Sequence, residues 1–205
     1  MASKLLLDFD GVVLRNKHIL SYQVAQSAKF VHRHVPYLSL SECTHLNRLY
    51  YPQYGHTVIM MNKMMNVPVT LEDYNDFVFH PKKLQKLEKL IDDDTCEYAE
   101  SFLPLFNEFD TGIFTNAHIN WVEMFCKVFE LPVDESNIYW PMELELLKPN
   151  PQAYTRVAFR IKTNNITFVD DSAKNIEFPK YNLKWNTILY RDMDTPTSLI
   201  QKVKV

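Results

Sequence analysis

Hydrophobic and polar positions change rhythm twice along the chain. Residues 4–8, KLLLD, form a short apolar run without alternation, stopped by a turn signal; this predicts a strand buried on both faces. From residue 15 to about residue 108 the period becomes helical. Val24, Ala28, Val31 and Val35 make one apolar stripe, and Ser39 with Glu42 forms a capping box ahead of Leu46 and Leu49. A Met-rich stretch covers residues 56–65, Thr70 opens a further helix, and PKKLQKLEKLI carries Pro81 in its first turn with Leu84, Leu87 and Ile91 at helical spacing. No strand signal interrupts this interval.

Beyond it, short apolar runs return and alternate with helical patterns. DTGIF, NIYWP, NITFVD and KWNTILY read as strands, and HINWVEMFCKVFEL and NPQAYTRVAFRIK as helices. Such alternation predicts an α/β fold with a Rossmann-like parallel sheet. The expected organisation is a core of residues 1–14 and 109–205, with an all-helical cap of residues 15–108 inserted after the first strand.

Composition narrows the field without naming a function. With 205 residues, 46% hydrophobic and 23% charged, the chain suits one core domain plus an insertion. A formal charge of -3 argues against nucleic acid or an anionic membrane as main partner, so any anion must be held by a local site. No apolar run approaches the ~20 residues of a membrane helix. MASK leads straight into LLLDFD, without room for a secretory signal, and Cys43, Cys96 and Cys126 are far apart, which suits free thiols; a cytoplasmic protein is expected. Monomer and homodimer remain equally open.

Ligands of parallel sheets bind at the carboxyl ends of the strands, and three of the apolar runs end there in reactive groups. The first ends in Asp8 and Asp10, the second in Thr115 and Asn116, the third in Asp170 and Asp171; Lys148 precedes a helix between the second and third. Two carboxylates one residue apart repel each other unless something positive lies between them. Clustered carboxylates suit Mg²⁺, which takes oxygen ligands and lets an anionic nucleophile approach a phosphate. Asp8 is placed to attack phosphorus, Asp10 to move protons, and Thr115, Asn116 and Lys148 to hold phosphoryl oxygens. Taken singly, each has a plainer reading: a D-x-D calcium site or helix cap, a strand-end turn at Thr115, a solvated Lys148, and a helix cap at Asp170-Asp171. Their order after successive strands favours the joint one.

DFDGVV, GIFTNA, LLKPNPQAY and FVDDSAKNI resemble the four motifs of the haloacid-dehalogenase-like superfamily, in the right order and across the whole core. The resemblance implies Asp8 as nucleophile, Asp10 as acid/base, Thr115 and Lys148 as phosphate-binding residues, and Mg²⁺ held by Asp8, Asp170, Asp171 and the carbonyl of Asp10. Asp10 argues against dehalogenase chemistry, whose enzymes lack an acid/base there. Within the expected cap, LNRLYYPQYGHTV looks like the cap of pyrimidine 5'-nucleotidases, which makes Tyr51, Tyr54, Gly55 and His56 candidate contacts to a nucleoside. The same tyrosines could equally pack the cap helices. Two departures from that subgroup stand out: Gly11, Val12, Val13 and Leu14 replace its usual Asn-Thr-Leu-Tyr, and no glycine lies between the fourth motif and the last strand.

The resulting expectation is a Mg²⁺-dependent phosphomonoesterase acting on a small phosphorylated metabolite, with a nucleoside 5'-monophosphate foremost. A phosphosugar phosphatase or mutase, and a non-catalytic binding protein of the same fold, are the alternatives. Met60, Met61, Met64 and Met65 read as core or hinge filler.

Overall fold

The computed structural model describes residues 3–163 and 165–203. The apolar runs become β1 (Lys4–Leu7), β2 (Asp110–Phe114), β3 (Ile138–Tyr139), β4 (Ile166–Asp170) and β5 (Asn186–Leu189). They form one parallel sheet in the order β3-β2-β1-β4-β5. β1 lies in the middle, with Leu7 paired to Ile113 on one side and to Val169 on the other. That register brings the residues following β1 and β2, and the last residue of β4, out along one edge of the sheet. The Asp8 amide donates to the Val169 carbonyl at 2.8 Å, and the Thr115 amide to the Tyr139 carbonyl at 3.0 Å.

β1 is apolar after Lys4 because consecutive residues, which point to opposite faces of the sheet, are all buried. The helices that follow residue 91 are α6 (Asp93–Glu100) and α7 (Leu103–Glu108) ahead of β2, then α8 (Ile119–Val128), α9 (Pro151–Ile161), α10 (Ala173–Asn182) and α11 (Pro196–Val203). On one face Leu6, Phe114 and Phe168 pack with Tyr154 and Val157 of α9 and with Trp185. The Tyr154 ring stands edge-on to Phe114 at 5.5 Å. α8 buries Trp121, Val122, Phe125 and Cys126, a helical repeat that puts one side of it against protein.

The chain divides into two compact units. One is the sheet unit, residues 1–15, 91–141 and 145–205; the other is helical, residues 16–90 and 142–144. The helical unit contains α1 (Lys17–His34), α2 (Leu40–Tyr54), α3 (Thr57–Lys63), α4 (Leu71–Val78) and α5 (Pro81–Glu88), and no strand among its described residues. Its helices start where the sequence signals them. Ser39 and Glu42 exchange hydrogen bonds in a capping box, Thr70 and Asp73 do the same, and Gly55 ends α2 with φ 72°. Inside, the Phe30 ring meets Tyr74 edge-on at 5.3 Å, the Tyr74 and Ser27 hydroxyls are hydrogen-bonded at 2.7 Å, and Met60 and Met61 are buried as filler.

The insertion expected to run to residue 108 thus gives way to the sheet unit at residue 91. α6 and α7 belong with the sheet because their apolar side is used there. Tyr98 donates its hydroxyl to the Val12 carbonyl at 2.9 Å, Phe102 packs its ring at 6.3 Å from Tyr190, and the Leu105 carbonyl accepts from the Thr111 hydroxyl at 2.8 Å. Periodicity reports that a helix is amphipathic but not which neighbour takes its apolar side. The terminal helix α11 was not signalled by the sequence pattern. Cys43, Cys96 and Cys126 are free thiols, and no helix among the described residues is long and apolar enough to cross a membrane.

Candidate active site

Lys148 joins two of the strand-end acids. The residue is 2% exposed, and its Nζ donates to Asp170 Oδ2 at 2.6 Å and to the Phe114 carbonyl at 2.8 Å, with Asp8 Oδ1 at 3.0 Å. The ammonium is thereby engaged by three oxygens of the protein, so the reading of Lys148 as a solvated surface charge does not hold. Burial by itself pulls the ammonium down, but Asp170 and Asp8 outweigh it and hold Lys148 above the ordinary lysine value. Asp8 goes the other way. Burial, and then the charge of Asp170, lift its carboxyl well above the usual carboxylate range against the pull of Lys148. Asp8 Oδ1 also accepts from the Phe9 amide at 2.7 Å, which leaves Oδ2 without a hydrogen-bond partner among the described residues.

Asp170 is fully buried and accepts three hydrogen bonds from two residues besides Lys148. Its Oδ1 accepts from the Ser172 amide at 2.8 Å, and Asn175 Nδ2 donates to both oxygens at 2.9 and 3.1 Å. Asn175 is in turn reached through its carbonyl by the Tyr154 hydroxyl at 2.8 Å. Asp171 is exposed overall, yet burial of its carboxyl end and the neighbouring Asp170 raise it to about 6. Neither acid caps α10, whose N-cap is Ser172.

Whether these residues fit a metal ion can be tested on charge and space. Asp8, Asp170 and Asp171 each offer an oxygen within 4.8 Å of the others, two of the three residues being buried. Three carboxylates face one ammonium, a local excess that a divalent cation matches. Space around Asp171 is equally constrained. Gly11 turns with φ +88°, and a Cβ there would come 2.2 Å from Asp171 Oδ2. The donor set, all oxygen, suits Mg²⁺.

The second strand end is organised differently from the sequence expectation. Thr115 is buried and its Oγ1 accepts from the Ala117 amide at 3.0 Å, the turn role. The Asn116 side chain pairs with the backbone of Lys148: Nδ2 donates to the Lys148 carbonyl at 2.9 Å and Oδ1 accepts from the Lys148 amide at 2.7 Å. Asn116 therefore positions the lysine. Asp10 leaves the tight turn after β1 and accepts at Oδ1 from the Trp121 indole N–H at 2.9 Å.

Arg15 is a further organiser. Its guanidinium donates to the carbonyls of Gly11 at 2.9 Å, Arg191 at 2.7 Å and Asp194 at 3.1 Å, and lies 4.2 Å from the centre of the Tyr190 ring. It ties the turn after β1 to the loop after β5. Sequence reasoning missed Arg15, Trp121 and Asn175. Of these only Asn175 carried a local signal, standing one helical turn into the helix that Asp170 and Asp171 precede.

The four other candidates belong to the helical unit. Tyr51 is 53% exposed, and Tyr54 pairs its ring with Tyr50 at 6.3 Å. Gly55 is the C-cap of α2. His56 is buried, its ring edge-on to Tyr74 at 4.7 Å, and its Nδ1 accepts from the Val58 amide at the start of α3. Burial lowers it to about 4. Gly55 and His56 thus have structural duties, and Tyr51 remains the most accessible of the four.

No model of a known protein family matches the sequence, and no curated protein does. Solved structures do match in fold. A predicted phosphoglycolate phosphatase from Haemophilus somnus 129PT superimposes with a TM-score of 0.55 at 14% identity, over 100% of this chain and 98% of that one. A defluorinating L-2-haloacid dehalogenase gives 0.52 at 16% identity, over 100% and 96%. A haloacid-dehalogenase family enzyme from Bacteroides thetaiotaomicron, solved as its magnesium complex, gives 0.50 at 16% identity, over 98% of each chain. The chain has the haloacid-dehalogenase-like fold.

Proposed function

We propose that the protein is a Mg²⁺-dependent phosphomonoesterase acting on a small phosphorylated metabolite through an aspartyl-phosphate intermediate. The observation that carries this reading is the convergence of Asp8, Asp170 and Asp171 after adjacent parallel strands, with the Lys148 ammonium paired to Asp8 and Asp170. The phosphatase and the magnesium complex among proteins of this fold support it. A dehalogenase shares the fold too, but a carboxyl such as Asp10 suits phosphate-ester chemistry, whose leaving oxygen takes a proton, whereas a halide leaves without one.

Asp8, Asp170 and Asp171, with the carbonyl of Asp10, would hold Mg²⁺, which when bound neutralises the approaching phosphate. Asp8 Oδ2, the oxygen left unbonded, attacks phosphorus while Oδ1 stays fixed by Lys148 and the Phe9 amide. As the bond to the leaving oxygen breaks, Asp10 gives that oxygen its proton. Water then attacks the phosphorus of the aspartyl-phosphate, Asp10 takes the water proton, and phosphate leaves with the Asp8 carboxylate restored. Thr115 accepts from Ala117 through a lone pair, so its hydroxyl hydrogen is free to meet a phosphoryl oxygen. Lys148 serves by keeping Asp8 and Asp170 side by side, and Asn116 by fixing the lysine backbone.

The likeness of LNRLYYPQYGHTV to the cap of pyrimidine 5'-nucleotidases makes a nucleoside 5'-monophosphate the first candidate substrate. Phosphate release across nucleoside monophosphates and sugar phosphates, with Mg²⁺ and then with EDTA, tests both levels. Metal-dependent release highest on pyrimidine nucleotides supports the whole reading. Preference for sugar phosphates overturns the nucleotide assignment alone, and no release on any substrate overturns the phosphatase reading.

A further inference from the structure

We infer that Trp121 is a positioning residue for proton transfer: its indole N–H holds Asp10 Oδ1 and so sets the orientation in which the Asp10 carboxyl meets the reacting oxygens. The inference rests on the reading of Asp10 as acid/base given above. An indole N–H donates and accepts nothing, so the oxygen it holds at 2.9 Å is engaged through a lone pair. Trp121 is 1% exposed, so water has little access to its ring.

The backbone around Asp10 is already set. The amides of Val12, Val13 and Leu14 all donate to the Phe9 carbonyl, and the Gly11 amide donates to Leu14. To this backbone frame the indole adds a fixed contact for the Asp10 side chain. The indole is itself held. It stands edge-on to Phe125 at 4.8 Å, and Phe125 lies 6.2 Å from the ring of Phe9, the residue between the two aspartates. α8 starts at Ile119, just past Thr115 and Asn116, so one helix start links the loop of the second strand to the acid/base of the first. Nothing in the residue pattern marks Trp121 for this role, since a tryptophan on the apolar side of a helix reads as core.

The test uses the full chain with Trp121→Phe, and a second variant carrying 3-benzothienylalanine at that position, whose sulfur replaces the N–H while the ring shape is kept. Two substrates are compared: an alkyl phosphate, whose leaving oxygen needs a proton, and p-nitrophenyl phosphate, whose leaving oxygen does not. On the alkyl phosphate both variants should lose roughly ten- to a hundredfold in kcat with KM within about twofold, and on p-nitrophenyl phosphate about tenfold less than that. Equal loss on both substrates, or no loss, overturns the inference while leaving the phosphatase reading intact. An arm independent of turnover follows the tryptophan indole resonances by ¹H–¹⁵N NMR at one fixed pH. Asp10→Asn should move the resonance that Trp121→Phe deletes and leave Trp140 and Trp185 in place; an unmoved resonance overturns the contact itself. Wild-type protein inactive on both substrates removes the acid role together with the proposed function, and the indole signal then still reports whether Trp121 holds Asp10.

Discussion

The two aspartates so near each other in sequence are held by different partners: Asp8 shares the Lys148 ammonium with Asp170, and Asp10 accepts from the Trp121 indole. Lys148→Ala leaves buried carboxylates without their counter-charge, which in other proteins costs about 3–5 kcal/mol. Chemical denaturation of the metal-free variant should show a loss of that order; a loss under about 1 kcal/mol would mean the pair is not buried in solution. Gly11 makes a second case. Gly11→Ala puts a methyl where Asp171 Oδ2 lies and forces an L-residue into positive φ, so Mg²⁺ affinity by calorimetry should fall at least about tenfold. Unchanged affinity would place Asp171 outside the metal site. The grouping of Asp8, Lys148, Asp170 and Asp171 was legible in the sequence because each stands next to a strand end or helix start, where side-chain chemistry is exposed by topology. The part played by Asn116 was not, since its target is the backbone of a residue 32 positions away. Arg15 and Trp121 act over still greater separations, which no local pattern encodes.

At the scale of elements, His56 begins α3 by accepting the Val58 amide through Nδ1, which requires an unprotonated nitrogen. Burial lowers its folded-state value to about 4 from 6.5. A depressed histidine contributes stability that is fully present above pH 6.5 and is lost as pH falls toward 4, because the unfolded chain takes the proton first. The contribution is on the order of 3 kcal/mol. His56→Asn keeps a capping oxygen without a titrating ring, so it should flatten the fall in the stability of the helical unit between pH 6.5 and 4. Hydrogen exchange of α3 amides reads this directly, and an equally steep fall in the variant would assign the acid sensitivity elsewhere. Helix starts, the capping box of Ser39 and Glu42, and the four longer strands could be read from the chain because capping and periodicity are local. The allegiance of α6 and α7 could not, because it is settled by Tyr98, Phe102 and Leu105 meeting residues of the sheet unit.

At the scale of the molecule, five parallel strands bring reactive groups from distant stretches of sequence to one edge. A cation that binds this edge in the folded chain and not in the unfolded one stabilises it by mass action, about 2.7 kcal/mol at a hundredfold excess over Kd. Removing Mg²⁺ with EDTA should therefore lower the unfolding midpoint of the protein, and Asp171→Asn should shrink that difference; a midpoint indifferent to Mg²⁺ would contradict metal binding here. The central claim is that Asp8 becomes phosphorylated. Its most direct test is to quench the protein during turnover of p-nitrophenyl phosphate with Mg²⁺, reduce it with borohydride, and map the product by mass spectrometry. The account predicts homoserine at position 8 alone, absent without Mg²⁺ and absent in Asp8→Asn. Phosphate release with Asp8 unmodified, or reduction at another carboxyl group, would contradict it.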